Sequence, residues 1–161
     1  MAKPRRDQGH LGIDTNVLVA YLDAEHPSHR LTEYLADRPV ALNPTIIHEA
    51  YHTLVFKMKW DEEEATQTLT AACADEKNLF LNQTSRTTRA GLQIAARHRK
   101  LGGRDALILA NLLVGKVAEL VTFDKSLPAL GRVTYGKSVL SIKRPRFQGP
   151  TRHEGSALNR D

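Results

Sequence analysis

Four acidic residues stand where short apolar runs end or helices begin: Asp14 after the run 11–13, Glu49 early in an apolar-striped segment, Asp105 just past Gly102-Gly103, and Asp124 two residues beyond the run 120–122. An acid at a helix start commonly caps free N–H groups or meets the helix dipole, so each of the four, taken singly, has a structural explanation. Four converging on one edge would repel and raise each other's pKa unless a cation neutralised them. Oxygen ligands without cysteine suit Mg²⁺ or Mn²⁺, which keep several waters and complete their shell with phosphate oxygens. The chemistry this points to is hydrolysis of a phosphodiester by a metal-acidified water, with one ion or two.

One of the acids also belongs to a different pattern. The segment His48-Glu49-Ala50-Tyr51-His52 is a literal H-E-x-x-H, which on a helix sets two imidazoles on one face for Zn²⁺ with Glu49 as general base, the arrangement of a zinc metallopeptidase. That reading gives Asp14, Asp105 and Asp124 no part. Its third zinc ligand would have to be Asp75, Glu76 or His98, none of which lies in a recognisable motif. A third reading keeps the cluster but makes the chain a noncatalytic RNA-binding module.

The elements that must position these residues alternate. Residues 11–13 read as a strand and 16–22 as a buried helix; 29–36 has helical spacing, and 40–42 is a second strand. Asn43-Pro44-Thr45 starts a helix whose apolar stripe runs to Met58, and Asp61 with Glu64 caps another that reaches about Ala74. Then come a strand at 79–81, a helix from Thr84 or Ser85 to about Arg99, a helix over 104–114 ended by Gly115, and strands at 120–122 and 139–142. Short apolar strands separated by helices argue for a parallel α/β sheet, in which ligands collect outside the carboxyl ends of the strands. All four acids fall there.

At 161 residues and 41% hydrophobic content the chain is expected to form one domain, over 9–144, with tails at 1–8 and 145–161. The single Cys73 excludes an internal disulfide, and no apolar stretch is long enough for a signal core or membrane span, so a cytoplasmic location away from the membrane is expected. The net charge of +5 favours an anionic partner such as nucleic acid. Arg104, beside Asp105, is the first candidate for a phosphate contact. Arg97 and Lys100 come next, on a basic helical stripe that could equally be a solvated face. Aromatic content of 6% offers no evident stacking platform for bases.

In order and spacing, LGIDTNVL at 11–18, TIIHE at 45–49, RDALILA at 104–110 and LVTFD at 120–124 resemble the four acidic motifs of PIN-domain ribonucleases. The similarity extends over about 9–142, and the size is most like that of VapC-type toxins of type II toxin–antitoxin pairs. The resemblance implies a single three-layer α/β domain, with a central parallel sheet of about five strands in the order 3-2-1-4-5 and helices on both faces. It implies Asp14, Glu49, Asp105 and Asp124 as the catalytic, metal-binding acids, Thr15 or Asn16 as the polar residue that orients Asp14, and Thr122 as its counterpart near Asp124. It also implies an endoribonuclease using Mg²⁺ or Mn²⁺, single-stranded or looped RNA as substrate, a homodimer, and a small antitoxin whose tail blocks the site.

Overall fold

Fully buried apolar triplets make the centre of the sheet: Leu11–Ile13 (β1) and Val40–Leu42 (β2) are buried at every position, as parallel strands with helices on both faces must be. In the computed structural model, which describes residues 9–146, they are joined by Leu79–Phe80 (β3), Glu119–Val121 (β4), Arg132–Tyr135 (β5) and Ser138–Lys143 (β6). The order across the sheet is β3-β2-β1-β4-β6-β5, parallel except for the β5–β6 pair. The strand expected at 139–142 takes its place beside β4. The expected five-strand order 3-2-1-4-5 gains an antiparallel edge strand, β5, inserted before it in the chain. A two-residue turn, Gly136-Lys137, joins β5 to β6, with Gly136 at φ +57, the glycine that a type II′ hairpin needs at its first central position. Of the tails expected at 1–8 and 145–161, all but Pro145 and Arg146 lie outside the described residues.

Among the described residues, five α-helices cover the sheet: Thr15–Leu22 (α1), Pro44–His52 (α2), Glu62–Ala74 (α3), Ser85–Arg97 (α4) and Gly103–Val114 (α5). Their starts follow local chemistry. Asn43 accepts from the Ile46 N–H at 3.0 Å with Pro44 at the first helical position, Asp61 accepts from the N–H groups of Glu63 and Glu64, and Thr84 and Thr87 cap each other. Helix α5 is the central one, with Ile108, Leu109, Leu112 and Leu113 all buried. It approaches β1 so closely that a Cβ at Gly12 would lie 2.9 Å from both the Glu119 carbonyl oxygen and Leu112 Cδ1.

Two segments depart from the expected helices. Residues 29–36 form two 3-10 turns, His29–Leu31 and Glu33–Asp37. Thr32 between them is fully buried and donates its hydroxyl to the His29 carbonyl at 2.6 Å, a local bond that competes with α-helix. The apolar stripe expected to continue to Met58 does so, but as an α-helix only to His52. Thr53–Lys57 is a π-turn, which keeps Leu54 and Val55 in the core.

Candidate active site

Asp14 lies at the point where the sheet changes direction, since β2 and β3 extend from one side of β1 and β4 and β6 from the other. Its backbone N–H still donates to the Val121 carbonyl of β4 at 3.0 Å, while its side chain, 7% exposed, caps α1. The carboxylate therefore emerges at the carboxyl edge between two parallel strands, the place an open α/β sheet reserves for ligands.

A short network fixes it there. Thr122, fully buried just after β4, donates its hydroxyl to Asp14 Oδ2 at 2.7 Å and accepts from the Asp124 N–H at 3.0 Å. Asp14 Oδ1 accepts from the Thr15 N–H at 2.7 Å, and the Thr15 hydroxyl donates to Glu49 Oε2 at 2.8 Å. Asn16 Oδ1 accepts from the Phe123 N–H at 3.2 Å, tying the start of α1 to the loop that carries Asp124. Glu49 Oε1 meets Arg104 Nη1 at 2.8 Å, and Asp105 is the next residue in the first turn of α5. Asp124 turns one oxygen inward along its own loop, where it accepts from the Ser126 N–H at 2.7 Å and the Ser126 hydroxyl at 2.6 Å.

These environments push the carboxyls apart. Burial raises the pKa of Asp14 despite the Thr122 and Thr15 bonds that oppose it, and Glu49 and Asp124 add to the rise. Burial also raises Asp105, with the charges of Asp14, Asp124 and Glu49 adding to it and Arg104 opposing them. The Ser126 bonds hold Asp124 below the ordinary carboxylate value. Acids that raise one another's proton affinity form a site that a cation would relieve.

One cleft of about 1370 Å³ is lined by all four acids together with Thr15, Asn16 and Arg104. Thr122 lies beneath Asp14 rather than on the wall, and Arg97 and Lys100 do not line the cleft. His48 and His52 do, as do three basic residues that carried no site assignment from sequence: His26, Lys57 and Arg144. By sequence Arg144 is one of several basic residues near the ends that could add nonspecific affinity or be inert, and Lys57 carries no signal.

Among the described residues, no three His, Cys, Asp or Glu side chains close into a ready metal cage. That weighs against the zinc peptidase, because catalytic zinc takes three protein ligands. Mg²⁺ takes one or two carboxylates and keeps its waters, so an open, all-oxygen cleft whose acids repel suits it in donor type and in charge.

Comparison with known proteins agrees with the fold. The sequence matches the model of the PIN domain family over residues 12–133. No curated protein sequence matches significantly. Among solved structures, the VapC20 toxin of Mycobacterium tuberculosis, described as cleaving the sarcin–ricin loop, is similar at 18% identity and TM-score 0.65, covering 78% of this chain and 98% of that one. VapBC2 from Rickettsia felis, bound to a DNA fragment from its promoter, is 16% identical at TM-score 0.57, with 83% and 98% covered. A toxin–antitoxin complex from Klebsiella pneumoniae is 18% identical at TM-score 0.55, with 73% and 88% covered. At these identities the likeness is one of fold.

Proposed function

Because the chain belongs to the PIN domain family, we propose that it is a divalent-metal-dependent endoribonuclease that hydrolyses RNA phosphodiester bonds and acts as the toxin of a toxin–antitoxin pair. The observation that carries this reading is the convergence of Asp14, Glu49, Asp105 and Asp124, from four separate segments, on one cleft at the carboxyl edge of the sheet. Mg²⁺ or Mn²⁺ would be held among these four by one or two carboxylates at a time, with retained waters completing its shell. When bound, such an ion acidifies water for attack and offsets the charge of the phosphate.

The chain's own residues do the positioning. Thr122 and the Thr15 N–H orient the two oxygens of Asp14, the Thr15 hydroxyl holds Glu49, and Asn16 fixes the loop bearing Asp124. Arg104 pairs with Glu49 and would meet a substrate phosphate at the same rim. Arg97 and Lys100, off the cleft, would contact only RNA that extends beyond it. The similar structures include a toxin described as cleaving an RNA loop and complexes of toxins with antitoxins. They support a looped substrate and an antitoxin partner; single-stranded RNA, an antitoxin small enough to occlude the cleft, a homodimer and a site of action in the cytoplasm belong to the same proposal.

The test is incubation of RNA with wild type and Asp105→Asn, in Mn²⁺ or in EDTA. Cleavage is expected to require the metal and to fall by about 10²-fold or more in the variant, the scale of losing a charge aimed at the transition state. His48→Ala with His52→Ala should leave much of it intact. Persistent cutting by Asp105→Asn refutes the site, and RNA bound with Mn²⁺ but left uncut makes the protein a binding module.

A further inference from the structure

On the α2 side of the cleft, Thr45, His48, Glu49, His52 and Thr53 face inward. In an uninterrupted α-helix the next residue on that face would be position 56, two turns past Glu49. The structure puts Lys57 on the cleft wall instead, with Met58 beside it. Thr53–Lys57 is a π-turn in which the Met58 N–H donates to the Thr53 carbonyl at 3.0 Å. An i→i+5 turn carries one residue more than an i→i+4 turn, and such insertions recur at functional sites. Phe56 is left pointing outward, 53% exposed, with its ring 5.0 Å from that of His52. The one-residue offset thus exchanges an aromatic ring for a cation on the wall of a cleft whose floor is acidic.

Among the described residues, Lys57 makes no ion pair, whereas Arg104 on the same cleft is bound to Glu49. At about 1370 Å³, the cleft exceeds the roughly 300–1,000 Å³ of small-molecule pockets, which leaves room for a strand rather than one nucleotide. We propose that the π-turn presents Lys57 to an RNA backbone phosphate flanking the one attacked, making it a substrate-binding residue. This rests on the reading of the cleft as an RNA site.

The experiment is fluorescence anisotropy of a labelled single-stranded RNA of mixed sequence in EDTA, where the strand stays intact, with the full chain. Lys57→Gln should bind roughly three- to fivefold more weakly, as one exposed charge contact predicts. It should also flatten the plot of log affinity against log salt by about 0.7, the slope of a single-strand phosphate contact. Lys57→Arg should bind like wild type. The double variant Phe56→Lys with Lys57→Gln keeps the net charge but moves it off the cleft face, so it should stay weak; melting curves of all variants should coincide because position 57 is exposed. Unchanged affinity and slope in Lys57→Gln, or full recovery in the double variant, overturns the inference. A wild type that binds RNA through Lys57 yet never cuts it leaves this inference standing and fells the nuclease; metal-dependent cutting with Lys57→Gln binding unchanged does the reverse. No RNA binding by wild type overturns both.

Discussion

Thr122 is the smallest part with the largest reach, because one hydroxyl donates to Asp14 and accepts from the backbone of Asp124. Replacement by valine keeps the shape and removes both bonds, leaving a buried carboxylate oxygen and an N–H without partners. Thr122→Val is expected to lower stability by about 1–3 kcal/mol, the cost of orphaning such groups, and to reduce cleavage, while Thr122→Ser retains both. Urea denaturation at neutral pH checks it, and equal midpoints for wild type and Thr122→Val would refute the role. Thr122 and Asn16 stood out in the sequence only because the motifs that contain them resemble those of PIN-domain ribonucleases. Ser126, which depresses the pKa of Asp124, did not, because nothing in its neighbourhood says which way a loop oxygen turns.

At the scale of elements, helix α2 places Glu49, and its start depends on Asn43, whose side chain is fully buried and accepts from the Ile46 N–H. Asn43→Ala should cost about 1–2 kcal/mol, as lost N-caps do, and metal-dependent cleavage should fall as the first turn frays. Denaturation of the variant beside Asn43→Ser, which restores a capping oxygen, separates the cap from loss of volume. Cap residues and glycine breaks are local, and the starts of α2, α3, α4 and α5 were legible for that reason. The 3-10 turns around Thr32, the π-turn and β5 were not. Each is chosen by partners distant in sequence or by a competition between local bonds that helical periodicity does not register.

Across the whole molecule the acidic cluster sets a pH dependence opposite to that of ordinary paired carboxylates. Asp14 and Asp105 have folded-state pKa values above the ordinary aspartate value of 3.8, so the native state holds their protons more tightly than the unfolded chain does. Their stabilising contribution is complete below that value and is lost as pH rises through the raised folded pKa, so at neutral pH the ionised pair costs stability. Asp124 runs the other way: its lowered pKa stabilises above 3.8, and that contribution is lost as pH falls through the folded value. Asp105→Asn is therefore expected to melt at a higher temperature than wild type in EDTA at neutral pH, with the gain shrinking as pH falls through the raised value, even as cleavage in Mn²⁺ is expected to fall. Calorimetry across that range tests this, and a neutral-pH melting temperature equal to or below that of wild type would count against a repulsive cluster.

The order of strands and helices and the four acids at their ends were written in local signals: apolar runs of strand length, caps, the Gly102-Gly103 break and ordered motifs. Those signals act within a few residues, so they survive without knowledge of the fold. Which side chains share the cleft was decided only by tertiary structure. The shared hydroxyl between Asp14 and Asp124, the Glu49–Arg104 pair and the π-turn that turns Lys57 inward depend on parallel strand pairing and core packing between segments far apart in the chain, and no single stretch of sequence encodes that pairing.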